Sequence, residues 1–234
     1  VVKTKLWACL ELIRVGNLFS AAADVLAGYY LASAFVGSTT NEAGLPLLIL
    51  SSVCLYAGGV ALNDVCDADR DAVERPSRPI PSGRVSRASA ARLAVTLLGI
   101  GTIAAMTVSL RATVVVGTLV TAIALYNFHA KSTAWGPLVM GVCRALNLAL
   151  GMDALPTLAV PAAVGAMLLM GLYVASVTYF ARDEAGMSSA VRLRIGTAGV
   201  TLAVLGASVL PVLLPVSRSA VLFIAIPLAG FTTW

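Results

Sequence analysis

Four aspartates stand close together in a chain that has few other carboxylates. Residues 63–71 read Asn-Asp-Val-Cys-Asp-Ala-Asp-Arg-Asp, whereas the whole chain of 234 residues contains only 11 acidic side chains. If a helix continues through this stretch, Asn63, Asp67 and Asp71 lie four residues apart on one face, with Asp64 beside them. Asp69 then points to the opposite side, and we predict that it is solvated.

This spacing favours a metal site. Carboxylates crowded on one helical face repel each other unless a cation binds among them. Oxygen ligands without His or Cys favour Mg²⁺ or Ca²⁺, and Mg²⁺ usually binds through a few carboxylates plus substrate phosphates. The candidate metal ligands are Asn63, Asp64, Asp67 and Asp71. The alternative interpretation is that acidic and basic residues alternate here simply because a helix leaves a membrane.

A basic segment rich in proline follows the aspartates directly. Residues 74–84 read Glu-Arg-Pro-Ser-Arg-Pro-Ile-Pro-Ser-Gly-Arg. The prolines restrict the backbone, and arginines such as Arg78 can pair with the aspartates or bind anionic oxygens through two hydrogen bonds. The two stretches together therefore indicate a site where a cation and an anion meet.

The composition shows what kind of protein positions these residues. The chain is 59% hydrophobic and only 12% charged, far from the soluble average of roughly 25% charged. A soluble domain of this size could not hide so much apolar surface. We therefore predict an integral membrane protein whose partner is the lipid bilayer. Its net charge of +5 does not indicate a nucleic-acid partner, since basic residues mainly set orientation in such proteins.

Apolar runs divide the chain into membrane spans, because about 20 apolar residues are needed to cross the hydrocarbon core as a helix. We predict eight spans in one transmembrane domain, residues 1–234, and we expect the C-terminal end of that domain to be lacking because the last run is short. The spans are residues 15–36, 45–64, 91–110, 112–128, 136–152, 158–181, 195–214 and 220–234.

The basic residues are distributed unevenly on this map. Thirteen of the 16 Lys and Arg residues fall on the face that also holds the aspartates and the N-terminus. Because cytoplasmic loops of membrane proteins carry most of the Lys and Arg, we predict that this face is cytoplasmic.

Two of these motifs carry a family resemblance. The patterns N-D-x-x-D-x-x-x-D at 63–71 and R-P-x-R-P-x-P-S-G at 75–83 resemble those of the UbiA superfamily of intramembrane prenyltransferases. Glu11, Arg14 and Asn17 are similar to the family's first cytoplasmic segment, with Gly where Pro is usual at position 16. Tyr126 and Lys131 resemble the next such segment.

The resemblance implies an all-α bundle of nine transmembrane helices. Its cytoplasmic mouth would bind a prenyl diphosphate through Mg²⁺, with the lipid tail in a lateral cavity, and the prenyl group would be transferred to an unidentified acceptor. Catalysis would rest on Asp64, Asp67 and Asp71, and the acceptor would lie near Arg144 and Asn147. The implied substrate-binding residues are Arg14, Asn17, Arg78, Tyr126, Lys131, Arg144, Asn147 and Arg182.

One motif departs from the family pattern. The family has a second D-x-x-x-D motif after span six, where a second Mg²⁺ binds, but here residues 179–186 read Tyr-Phe-Ala-Arg-Asp-Glu-Ala-Gly. Asp183 and Glu184 are adjacent and cannot share a helical face, so Asp183 alone is carried over as a candidate ligand. Residues 144–148 also resemble the UbiA-like proteins of the Ebo gene clusters. The alternative function is therefore a non-catalytic UbiA-like protein that binds or translocates a lipid-linked or small-molecule precursor.

Three ionisable or polar residues lie inside predicted spans. Asp24 in span one costs roughly 2.5–3.5 kcal/mol on insertion scales, so it should face a polar cavity or be protonated. Arg144 and Asn147 lie one turn apart in span five. Such residues usually serve function, although a purely structural hydrogen bond is the alternative.

Overall fold

The structure is a computed structural model that describes residues 2–36, 42–153, 161–181 and 190–213. The predicted all-α class is confirmed, because the described residues form helices and turns without a strand. The α-helices are α1 (Val2–Leu12), α2 (Leu18–Val36), α3 (Leu45–Cys66), α4 (Ala68–Glu74), α5 (Arg87–Met106), α6 (Leu110–Leu125), α7 (Gly136–Gly151), α8 (Pro161–Ala181) and α9 (Ala190–Leu213). A 3₁₀ turn, Val15–Asn17, precedes α2, and a π-helix, Tyr126–Ala130, continues α6.

Several described helices are long and apolar enough to cross a membrane. Four do so by length and composition alone, namely Leu45–Cys66, Arg87–Met106, Leu110–Ala130 and Pro161–Ala181. Leu6–Leu12 and Val15–Ser33 add a fifth if the pair, bent by 47°, forms one span. Gly136–Gly151 and Leu193–Val209 are shorter apolar helices.

Seven of the eight predicted spans coincide with helices, whereas 220–234 lies outside the described residues. The boundaries of span three were wrong by four residues at each end. Helix α5 begins at Arg87 because the Ser86 hydroxyl accepts a hydrogen bond from Ser89 N at 3.2 Å and caps the helix.

Helices α2, α3, α6 and α7 surround the centre of the described bundle. Helix α3 packs against α5, and α7 packs against α2, α6 and α8. The largest buried cluster joins side chains of these central helices, including Val25, Leu55, Leu119 and Leu150.

The crossing of α2 and α7 is unusually close because glycines lie at the contact. A Cβ on Gly28 would collide with the backbone oxygen of Leu148, and one on Gly151 would collide with the backbone oxygen of Val25. Small residues at helix interfaces let membrane helices approach closely. This approach holds the inner faces of α2 and α7 within side-chain hydrogen-bonding distance of each other.

The proline-rich segment between α4 and α5 is tied to the rest of the bundle. Pro79 is fully buried, and Val85 N donates to its carbonyl oxygen at 3.0 Å. Arg84 donates to both carboxylate oxygens of Glu11 on α1, at 2.6 and 3.1 Å, and to Ser77 O. The segment therefore folds back over the end of the bundle that holds the aspartates.

Candidate functional site

The aspartate stretch is not one continuous helix, which corrects the expectation from spacing. Helix α3 ends at Cys66 and α4 begins at Ala68, and Asp67 between them has φ −91° and ψ 3°. Asp67 N still donates to Asn63 O, and Asp71 N still donates to Asp67 O. The four-residue spacing of these three residues therefore survives, although the regular helix is interrupted at Asp67.

Arg78 joins two of the aspartates. Its Nη1 atom lies 2.7 Å from Asp71 Oδ2 and 3.3 Å from Asp64 Oδ1. Both carboxylates are buried, and the Arg78 side chain is 22% exposed. A guanidinium shared by two buried carboxylates offsets part of their mutual repulsion. The proline-rich segment thus supplies the charge that lets these carboxylates lie close together.

Arg14 reaches the same group from the first helices. It adopts the left-handed conformation, with φ 48° and ψ 59°, between α1 and the 3₁₀ turn. Its Nη2 atom lies 3.4 Å from Asp64 Oδ1. Non-glycine residues rarely adopt this conformation, which costs roughly 1–2 kcal/mol, and they are often found at functional sites. The bend at Arg14 brings its guanidinium to Asp64.

Lys131 completes the cluster. It follows the π-helix at the end of α6, and its Nζ atom lies 2.5 Å from Asp67 Oδ1. We call the group formed by Arg14, Asp64, Asp67, Asp71, Arg78 and Lys131 the mouth. The contacting pairs there are separated by up to 64 positions, and the predicted residues Arg14, Arg78 and Lys131 lie in direct contact with the predicted aspartates.

Two residues of the same stretches lie apart from the mouth. Asp69 is 87% exposed as a side chain and pairs with Arg87, whose side chain is also exposed, so the prediction that Asp69 is solvated is confirmed. Asn17, predicted to bind substrate, is exposed on the 3₁₀ turn, where its carbonyl accepts a hydrogen bond from Ser20.

A cavity of about 210 Å³ opens beside the mouth. Most of its wall is apolar, with side chains such as Leu55, Leu119, Ile123 and Met140. The predicted residues on its wall are Arg14, Asn63, Tyr126, Arg144 and Asn147. The cavity can therefore take an apolar molecule whose polar end lies at the mouth.

A second polar cluster, which we call the floor, lies deep in the bundle and consists of Asp24, Ser52, Arg144 and Asn147. Arg144 Nη1 lies 2.9 Å from Asp24 Oδ2, and Asn147 Nδ2 donates to the same oxygen at 3.0 Å. Ser52 Oγ lies 2.7 Å from Asn147 Oδ1 and 2.9 Å from Ala21 O, so its one proton can be donated to either. Asp24 was expected to face a polar cavity or to be protonated; in the structure its carboxylate lies against the polar groups of Arg144 and Asn147.

Among the cavity residues that sequence reasoning missed, Ser52 and Asn127 are the short polar ones that take part in the arguments below. Both are short polar side chains within apolar runs, and both are buried. Ser52 gave no signal beyond that polarity. Asn127 lies in the π-helix, and such irregular turns are frequent at functional sites, but a π-helix is not readable from this sequence.

The donor set of the mouth suits Mg²⁺ in part. The candidate ligand atoms of its acidic residues are all oxygens. Carboxylates that form ion pairs with arginine and lysine can exchange those partners for a metal ion. No three acidic, His or Cys side chains of the described ranges converge on one metal position. The residues therefore fit an ion bound by one or two carboxylates plus other oxygens, which is the usual coordination of Mg²⁺.

Two predicted residues, Arg182 and Asp183, lie outside the described residues, so the second metal motif has no structural description.

Comparison with known proteins identifies relatives of this chain. The model of the UbiA prenyltransferase family matches residues 22–234. The digeranylgeranylglyceryl phosphate synthase of Sulfolobus acidocaldarius is 40% identical over 96 residues, which are 41% of this chain and 34% of that protein. The corresponding synthase of Metallosphaera sedula is 36% identical over 144 residues, 61% of this chain and 49% of that protein. The chain thus spans half or less of the length of these relatives.

Solved structures share the fold. A structure of a digeranylgeranylglyceryl phosphate synthase superposes with a TM-score of 0.71 at 23% identity, covering 98% of this chain and 88% of that one. A UbiA homologue from Archaeoglobus fulgidus, bound to GPP and Mg²⁺, superposes with a TM-score of 0.69 at 14% identity, covering 96% of this chain and 84% of that one.

Proposed function

Because this chain belongs to the UbiA prenyltransferase family and is a multi-pass membrane protein, we propose that it transfers a prenyl group from a prenyl diphosphate to an acceptor, with Mg²⁺. The observation that carries this proposal is the mouth. Three aspartates and three cationic side chains meet there at the edge of an apolar cavity.

The reaction would proceed by loss of diphosphate. The bond between the allylic C1 and its oxygen breaks, and the electron pair leaves with the diphosphate. The acceptor's nucleophilic atom then bonds to C1, and its proton passes to water. Charge develops on the departing oxygens, so cations fixed near them lower the barrier.

The mouth's own residues would provide that charge. Arg78 and Lys131 now neutralise Asp71 and Asp67 and are only about one-fifth exposed. Charged groups held in a site that excludes water act more strongly on developing charge than solvated ones. Arg14 lines both the mouth and the cavity and would bind the same anion.

The metal ion would be held by one or two of the carboxylates of Asp64, Asp67 and Asp71 together with diphosphate oxygens, with Asn63 beside them. Bound Mg²⁺ would neutralise diphosphate charge and favour its departure. The homologue from Archaeoglobus fulgidus, whose structure contains GPP and Mg²⁺, supports the choice of Mg²⁺ and a prenyl diphosphate as ligands. In the described residues the aspartates bind cationic side chains. The metal ion would have to replace these side chains at the aspartates, and the diphosphate would then bind the released cations.

The apolar cavity would hold part of the prenyl tail and keep water from the cationic carbon. We also propose that the mouth faces the cytoplasm, since most of the basic residues lie at that end. The relatives' name implies a glyceryl phosphate product for those proteins.

The test compares two aspartates of one short helix. Asp71 contacts Arg78 at the mouth, whereas Asp69 is exposed and pairs with Arg87. With the protein in lipid nanodiscs, we expect geranyl diphosphate to bind only with Mg²⁺, Asp71→Asn to weaken binding at least about tenfold, and Asp69→Asn to change it less than about twofold.

Two results would count against the proposal. Equal effects of the two substitutions would show that the mouth is not the binding site. Absence of diphosphate release by the unmutated protein, with prenyl diphosphates of several chain lengths and a panel of phenolic and glyceryl acceptors, would favour the non-catalytic binding protein instead.

A further inference from the structure

The floor lies well below the mouth. Along α3, Ser52 is 11 residues from Asn63, which corresponds to about 16 Å at 1.5 Å per residue. Asn127 lies between the two levels, because its Nδ2 atom is 3.5 Å from the carbonyl oxygen of Gly59, only one turn below Asn63. The cavity therefore has polar groups at two depths, with an apolar wall around them.

Two buried polar atoms on this wall have no hydrogen-bond partner within the described part of the chain. One is Asn127 Oδ1, an acceptor, on a residue that is 4% exposed. The other is Arg144 Nη1, a donor whose N–H direction misses Asp24 although the two charged atoms are 2.9 Å apart. Leaving such atoms unsatisfied is unfavourable, so a ligand that pairs with them gains affinity.

The two atoms lie at different heights. Arg144 is three residues above Asn147, which contacts Ser52, so it lies about 4–5 Å above the lowest level. Asn127 lies roughly another 6 Å nearer the mouth by the same measure. These heights are those of the backbones, and both side chains line the same cavity, so a small molecule in that cavity with two oxygens has both atoms available as partners.

The charge at the floor decides which molecule fits. Arg144 is already paired with Asp24, whose side chain is 2% exposed. A second anion beside Arg144 would face the Asp24 carboxylate in a medium of low dielectric constant and be repelled. An uncharged oxygen meets no such repulsion.

We propose that the acceptor is an uncharged, hydroxylated molecule that spans these two groups. One oxygen accepts from Arg144 Nη1, and a hydroxyl nearer the mouth donates to Asn127 Oδ1. That hydroxyl is the one placed toward the diphosphate. Asn147 acts as a positioning residue that donates to Asp24, and Ser52 in turn contacts Asn147. This inference rests on the proposed function, because the bound molecule is an acceptor only if the protein transfers a prenyl group. The binding of that molecule can be tested without turnover.

The experiment measures the binding of 1-O-hexylglycerol and of its 3-phosphate to the protein in nanodiscs. Saturating Mg²⁺ and inorganic diphosphate are present, so that the mouth is occupied. We expect the neutral compound to bind at least about tenfold more tightly than the phosphate, and Asn127→Leu and Arg144→Lys each to weaken it about tenfold. Ser51→Ala is the matched control, because Ser51 Oγ is also buried without a hydrogen-bond partner among the described residues but is not one of the residues that line the cavity.

A gain of binding makes the test sharper. Asp24→Asn keeps a polar group beside Asn147 and leaves Arg144 as an uncompensated cation, so it should raise the affinity for the phosphate about tenfold. Unchanged thermal unfolding of Asn127→Leu and Ser51→Ala excludes a folding defect as the cause of lost binding.

Three outcomes would overturn the proposal. The phosphate could bind the unmutated protein as tightly as the neutral compound, Asn127→Leu could bind the neutral compound normally, or Asn127→Leu could weaken geranyl diphosphate instead, which would assign the wall to the prenyl tail. Failure of Mg²⁺ and diphosphate to bind, with the hexylglycerol results as expected, would refute only the proposed function.

Discussion

The mouth and the floor both combine acidic and basic side chains, yet they differ in how those charges are held. At the mouth, a single nitrogen of Arg78 contacts both Asp64 and Asp71, and the Arg78 side chain is 22% exposed. At the floor, Asp24 is 2% exposed and its partner Arg144 is 12% exposed. Side chains near water can exchange partners, whereas a buried pair loses too much when separated. The mouth is therefore suited to taking up ions, and the floor to remaining fixed.

The two clusters also differ in the secondary structure that carries their side chains. Arg14 and Lys131 lie in turns beside helix ends, and Arg78 lies in the segment between α4 and α5. Asp24, Arg144 and Asn147 project from helix interiors that cross closely at Gly28 and Gly151. The site thus joins an adaptable end to a rigid interior, and four substitutions test that difference.

The largest effect is expected at the floor. Arg144→Met leaves the Asp24 carboxylate buried without its cation, so the free energy of unfolding should fall by about 3–5 kcal/mol. Asp24→Asn combined with Arg144→Met removes both charges and should recover most of that loss. Unfolding in mixed micelles measures both, and a double variant no more stable than Arg144→Met would show that the pair is not coupled.

The next effect concerns the close crossing of helices. Gly151→Ala places a methyl group against the Val25 backbone, and overpacking of this kind costs about 1–3 kcal/mol. Gly117→Ala in α6 meets no atom of the described residues within 4 Å and should be neutral or stabilising. The same unfolding assay compares them, and equal losses would contradict the role given to the crossing.

At the mouth, the effect should appear in binding more than in folding. Arg78→Met removes the cation shared by Asp64 and Asp71, and we expect the affinity for geranyl diphosphate with Mg²⁺ to fall about tenfold. Arg87→Met, which loses only the contact to exposed Asp69, serves as the control. Isothermal titration in nanodiscs measures both affinities. Equal affinities of the two variants for geranyl diphosphate would contradict the role given to Arg78.

The smallest effect is expected just outside the mouth. Arg70 donates to Glu74 at 2.8 Å on the exposed face of α4, and this hydrogen bond raises the pKa of the Arg70 side chain. Pairs at this helical spacing contribute only about 0.3–0.5 kcal/mol, so Arg70→Gln should leave unfolding and diphosphate binding nearly unchanged. A tenfold loss of binding would extend the mouth to this surface.

The sequence by itself determined the class of protein and most of the mouth. The composition and the length of the apolar runs identify the chain as a helical membrane protein, because runs of about 20 apolar residues cross the bilayer as helices. The spacing of Asn63, Asp67 and Asp71 is local, and helical hydrogen bonds preserve it even where the regular helix is interrupted at Asp67. The phase of Asp69 followed from the same geometry.

Only the tertiary structure decided which charges meet. Asp64 and Arg14 are 50 residues apart, Lys131 and Asp67 are 64 apart, and Asn147 and Asp24 are 123 apart. The break at Asp67 and the π-helix that carries Asn127 were not readable from residue patterns. Spacing along a helix specifies which side chains share a face, but the partner of that face depends on how helices cross, and here the glycines at the α2 and α7 contact set that crossing.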